Sequence, residues 1–158
     1  MERLVKEWVA STGDPIIIAR PSTIIGVGED ENRLIPKLIR SAFTGEEMDF
    51  VGEPTHDFLG VEDFVDGLLT LSRFAEKYKG HIFNISFGVS LHNEFIKDVV
   101  AETVGKEPNI KRVKSMRKYD TDRWDVPNDK LRALGWMPTQ TVVDVIRDMV
   151  EDYKIKHE

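Results

Sequence analysis

Two clusters of cations are the side chains here best suited to holding an anion. Arg33 and Lys37 follow a glycine turn, and Lys111-Arg112-Val113-Lys114-Ser115-Met116-Arg117-Lys118 forms a basic stretch later on. A guanidinium suits phosphate because its planar fork meets two oxygens at once. The later stretch fits a solvated edge strand, kept from pairing by its charge, equally well. Gly26-Val27-Gly28 is the nearest approach to a phosphate cradle, but Glu29-Asp30-Glu31 follows and would repel phosphate, so it reads as a turn. Asp57, Glu62, Asp63 and Asp66 crowd together where a helix begins. Acids are favoured there by the helix dipole and by capping, so they do not read as a catalytic pair. His56, His81, His92 and His157 show no ligand spacing and cysteine is absent, so no metal site is expected. Arg20 reads as a strand-end partner for a carboxylate, Phe50 as core, and Trp124 and Trp136 as helix-packing residues.

Helices and strands alternate to position these residues. Residues 2–11 carry Leu4, Val5, Trp8 and Val9 on one side and end at Pro15. Ile16-Ile17-Ile18-Ala19 has no polar alternation, the pattern of a strand covered on both faces of a parallel sheet. A helix with Leu34, Leu38 and Ile39 admits Pro36 only in its first turn and stops at Thr44-Gly45. Met48 to Val51 reads as a strand, and Glu62 to Ala75 as a helix whose apolar face is Phe64, Val65, Leu68, Leu69 and Leu71. His81 to Ser86 is its partner strand. Ser90 reads as the N-cap of a helix reaching Gly105, and Asn109 to Lys114 as a basic strand. Asp129 to Leu134 is a short helix, and Thr141 with Asp144 forms a capping-box start for the last one.

The chain has 158 residues, 41% hydrophobic and 32% charged, enough to bury the core of one α/β unit spanning 1–158. A net charge of -6 opposes general binding to nucleic acid. No apolar run is long enough to span a bilayer and the start is not a signal peptide, so a cytoplasmic protein is expected.

Four segments in order resemble the NAD-dependent nucleotide-sugar epimerases and dehydratases, the extended short-chain dehydrogenases. Arg20-Pro21-Ser22-Thr23-Ile24-Ile25-Gly26-Val27-Gly28 is similar to the family's RPxNxYGPG turn. Gly52 to Gly67, with His56-Asp57-Phe58, resembles its RDFxxVxDxVxG segment. Phe83-Asn84-Ile85-Ser86-Phe87-Gly88 is similar to FNxxxG. Arg117 and Asp120, then Lys130 and Leu134-Gly135-Trp136-Met137-Pro138, resemble the late Arg-x-x-Asp, Lys and LGWxP elements. The resemblance covers essentially the whole chain.

That resemblance implies a C-terminal, substrate-binding portion carrying one or more strands of the Rossmann sheet, with the N-terminal Rossmann half absent. In the family register the catalytic Lys falls three residues before Met1, with the Tyr four earlier still, so no catalytic and no cofactor-binding residues are expected here. NAD(P) would serve the complete family enzyme, an isomerase or lyase, and not bind tightly to this chain alone. Expected of this portion is a grip on a nucleotide-diphosphate sugar. By resemblance Arg117 contacts the pyrophosphate, His56 stands where the family has a second arginine, and Thr23 stands where many members have an Asn. Phe50 lies along the nucleobase, and Arg33 and Lys37 add positive charge. Histidine and threonine are weaker grips than the residues they replace, which leaves a non-catalytic binding module or one half of a split enzyme as alternatives. An apolar strand without its neighbour recruits another chain, so a homo-oligomer or a separate N-terminal half is the expected partner.

Overall fold

Gly13, ahead of Pro15, ends the first helix: its amide donates to the Val9 carbonyl at 2.8 Å and closes α1 (Glu2–Thr12). The computed structural model describes residues 1–115 and 124–157. After α1 come β1 (Ile18–Pro21), β2 (Thr23–Ile25), α2 (Leu34–Thr44), β3 (Met48–Phe50) and β4 (Thr55–Gly60). Then follow α3 (Val61–Arg73), β5 (Ile82–Ile85), β6 (Ser90–His92), α4 (Asn93–Val104), β7 (Ile110–Arg112), α5 (Asp129–Arg132) and α6 (Val142–His157). Among the described residues no helix is long and apolar enough to cross a membrane.

The strands form three small sheets. β1 pairs in parallel with β5, β3 in parallel with β7, and β4 lies between parallel β2 and antiparallel β6. β1 runs two residues later than the apolar run suggests, because β5 sets its register from Ile18↔Ile82 to Pro21↔Ile85. Ile18 and Ser22 donate towards β5, at 2.9 Å to the His81 carbonyl and 3.0 Å to that of Ile85. By alternation the Pro21 nitrogen, which has no proton to give, faces the opposite edge. That edge carries no strand among the described residues. One residue after β1, the chain enters a different sheet as β2.

Two readings from pattern alone change. Ser90 is no helix cap: it lies in β6 opposite Asp57, and α4 starts after His92. Pairing to β4 decides this, which a lone capping residue cannot reveal. The expected apolar face of α3 divides: Leu71 is buried and Phe64 packs against the core, but Val65 is 48% exposed, Leu68 39% and Leu69 53%. The inward face is Asp63, Gly67, Thr70 and Leu71. α3 approaches β5 so closely that a Cβ on Gly67 would meet Ile85 Cγ2 at 2.7 Å. Two hydrophobic clusters result. One joins α2, α4 and α6 through Ile35, Leu38, Ile96, Val100 and Ile146, and the other joins Leu59, Leu71, Phe83, Ile85, Leu131 and Trp136. Complete burial of such side chains stabilises by about 1.5–3 kcal/mol each.

The acids of the Gly52–Gly67 segment tie these layers together. Asp57 is fully buried and accepts from the Phe87 and Gly88 amides at 2.8 and 2.7 Å. Asp63 accepts from the Thr139 amide and hydroxyl and the Gln140 amide, at 2.9, 2.8 and 3.0 Å, holding α3 to the approach of α6. Thr141 and Asp144 make the capping box: the Asp144 carboxylate accepts from the Thr141 amide and hydroxyl, and the Thr141 hydroxyl accepts from the Asp144 amide.

Candidate functional site

A cavity of about 460 Å³ opens where β2, β3, β4 and the start of α2 meet. Thr23, Arg33, Lys37 and His56 all line it. Each is placed by a simple periodicity. Parallel register sets Thr23 opposite Phe58, and His56, two residues before Phe58, shares its face of β4. Arg33 is the residue before α2, and Lys37 lies one turn along the same side. The cavity therefore carries two cations beside a helix N-terminus, whose unpaired amides favour negative charge.

The turn that leads into this cavity depends on its glycines. A Cβ at Gly26 would meet Val61 Cγ1 at 2.6 Å, so the start of α3 occupies the space of a side chain. Gly28 has φ +84°, a conformation open to glycine at little cost. The chain then turns back, the Glu29 amide donating to the Gly26 carbonyl at 3.2 Å. This brings the Glu29 carboxylate into the cavity wall.

Glu29, Asn32 and Asn93 also line the cavity; the sequence marked Glu29 only as a charge unfavourable to phosphate, and nothing in residue type or spacing marked the two asparagines. Asn93 donates from Nδ2 to the Val51 carbonyl at 2.9 Å, which leaves its Oδ1 buried without a donor among the described residues. Glu29 Oε1 accepts from Arg33 Nε at 2.8 Å, while its Oε2 is buried without a partner among the described residues. The Glu29 side chain is only 9% exposed. Burial pushes its carboxyl up to about 7; Arg33 opposes the shift and Asp30 adds to it. A wall with two cations and two unsatisfied acceptors suits a ligand that is both anionic and a hydrogen-bond donor.

The remaining expected residues fall elsewhere. Phe50 is 1% exposed and packs in the α2–α4–α6 core, with the Arg112 guanidinium 5.8 Å from its ring centroid. Phe50 is not among the residues lining the cavity, which agrees with its reading as core. Arg117 and Asp120 lie outside the described residues. Arg20 forms a two-point ion pair with Glu2, at 2.6 and 2.5 Å, as its strand-end position suggests. Trp136 is buried, but Trp124 is 48% exposed. Its ring centroid lies 6.5 Å from that of His56, and its amide donates to Thr55 Oγ1 at 3.1 Å. Among the described residues no group of three His, Cys, Asp or Glu side chains is placed to hold a metal.

The turn from Gly26 to Leu34 does not have the form of a dinucleotide-binding glycine loop. Past Gly28 the turn presents Glu29, Asp30 and Glu31 before α2 opens at Leu34, so no glycine amide leads directly into the helix.

Residues 1–86 match the family model described as "NAD dependent epimerase/dehydratase family". The low-salt glycan biosynthesis protein Agl12 of Haloferax volcanii is 29% identical over 153 residues, covering 95% of this chain and 48% of that protein. The dTDP-glucose 4,6-dehydratase of Haemophilus influenzae is 29% identical over 167 residues, with 95% and 48% covered. The solved structure of MoeE5 in complex with UDP-glucuronic acid and NAD superposes with a TM-score of 0.89 at 21% identity, covering 98% of this chain and 53% of MoeE5. The chain thus spans about half the length of the curated relatives it matches. Its α/β fold matches the C-terminal portion of extended short-chain dehydrogenases.

Proposed function

Because this chain belongs to the NAD dependent epimerase/dehydratase family, we propose that it is the nucleotide-sugar-gripping portion of such an enzyme, inactive by itself. The observation that carries this reading is the cavity gathering Thr23, Arg33, Lys37 and His56 at the N-terminus of α2. Arg33 and Lys37 supply charge for a diphosphate, and Thr23 and His56 offer single hydrogen bonds. Arg117 joins them in this reading as a further phosphate contact. The reading assigns NAD(P), the general base and the hydride step to an N-terminal portion, and places the protein in the cytoplasm.

The bare outer edge of β1 and the outward apolar stripe of α3 favour a companion α/β portion, joined or separate, over a stand-alone binding module. Titration calorimetry of the 158-residue chain with UDP-, GDP- and TDP-sugars tests the grip. Binding that weakens at least tenfold in Lys37→Ala supports it, and no heat with any of them removes it. Turnover of any nucleotide sugar by the chain with NAD alone would overturn its assignment as inactive.

A further inference from the structure

Glu29 is the group in this cavity that the grip on a diphosphate does not explain. Its carboxylate stands in the wall between the 460 Å³ cavity and a smaller one of about 120 Å³ beside α6. The smaller cavity is bounded by the stacked rings of Tyr153 and His157, 4.1 Å apart, and by Ile39 and Met149. Glu29 Oε1 holds Arg33, one of the two cations of the cavity wall, while Oε2 is buried and without a partner among the described residues. The arrangement is self-blocking as it stands: the acid already neutralises the guanidinium and adds negative charge to an anion site.

We propose that entry of a nucleotide-sugar diphosphate drives a solvent proton onto Glu29 and releases Arg33 to the phosphate oxygens. The inference rests on the nucleotide-sugar reading of the cavity. The proton comes from water and stays on Oε2, and no covalent bond of the ligand changes. Once neutral, Glu29 no longer competes for Arg33, and its new O–H can meet a ligand oxygen. The Glu29 carboxyl, already raised by burial to about 7, needs only a nearby negative charge to be protonated at neutral pH.

Other charges face this group from each neighbouring element. Its own loop contributes Asp30, Glu31 and Arg33, and α2 contributes Lys37 and Arg40. From α6 come Asp152, Lys156 and His157, from β3 Asp49, and from β4 His56. His56 lines the larger cavity and His157 the smaller one, so the test must separate both from Glu29.

The probe is UDP-glucose, which has no monoester phosphate to titrate near pH 6. Calorimetry of the 158-residue chain at pH 7, in two buffers of different ionisation enthalpy, is expected to show uptake of about half a proton per ligand. Affinity is expected to fall about tenfold from pH 6 to pH 8. In Glu29→Gln both effects should vanish, with binding flat over that range to within about twofold. Binding without proton uptake overturns the inference and leaves the nucleotide-sugar reading intact. Uptake that persists in Glu29→Gln assigns the proton to another group, His56 or His157, and also overturns it. No heat with either protein removes the reading itself, and the inference with it.

Discussion

Asp63, Asp57 and Glu29 are all acids with little solvent exposure, and their partners give them different roles. Asp63 has three donors from the segment before α6. Asp63→Ala strands those donors and is expected to cost about 2–4 kcal/mol in urea unfolding, with Asp63→Asn between it and the parent. Asp57 is raised by burial and held by two amides, so it is an anchor and is not free to serve as a base. Glu29 has one partner and one orphan oxygen, and its effect on stability has the opposite sign from an ion-paired surface acid. Its folded carboxyl titrates near 7 against 4.5 for the ordinary group. Between those values the folded state holds a proton that the unfolded chain has released, so stability falls as pH rises through the window. Glu29→Gln should therefore be more stable than the parent at pH 8, by on the order of 1–2 kcal/mol after solvent screening, and no more stable at pH 4.5. Equal differences at the two pH values in urea melts would count against this account.

At the scale of elements, the periodicity of α3 is right for Phe64 and Leu71 and wrong for the rest of its apolar stripe. Val61, Val65, Leu68 and Leu69 recur at helical spacing, the usual mark of a buried face, yet they point outwards while Gly67 presses on Ile85. Gly67→Ala is expected to destabilise by about 1–3 kcal/mol, although the same change in an open helix gains about 1 kcal/mol. A melting temperature raised by Gly67→Ala would refute the close approach. The outward stripe carries the converse prediction. Val65→Glu with Leu69→Glu should shift stability by less than about 1 kcal/mol while lowering the mass seen by light scattering at high concentration. Loss of folding in that double variant would show that the stripe is covered within the chain. The edge of β1 tells the same story, since its backbone groups face away from β5 with no strand beside them among the described residues.

Over the whole molecule, a net charge of -6 means that an anion is attracted locally or not at all. Arg33, Lys37 and the N-terminus of α2 provide that local field against the background of the remaining surface. Binding of UDP-glucose should accordingly weaken with added salt, by several-fold between 50 and 200 mM, because Arg33 is half exposed and screened. A salt-independent affinity in calorimetry would mean that the cations do not carry the grip.

Motifs in order were enough to read the family, the α/β class and most helices, since Thr44-Gly45, Pro36 and the Thr141–Asp144 box are local signals whose physics lies within a few residues. Arg20 as a strand-end ion pair and Phe50 as core were legible in the same way, from residue type and neighbourhood. The strand β6 and the outward turn of Val65, Leu68 and Leu69 on α3 were not, because each depends on a partner distant in sequence. Glu29 shows the limit most clearly. In sequence it is one of three acids after a glycine turn, a feature that argues against phosphate. Only the folded chain buries its carboxylate, leaves one oxygen without a donor and sets it against Arg33, because burial is a property of what surrounds a residue and not of the residue itself.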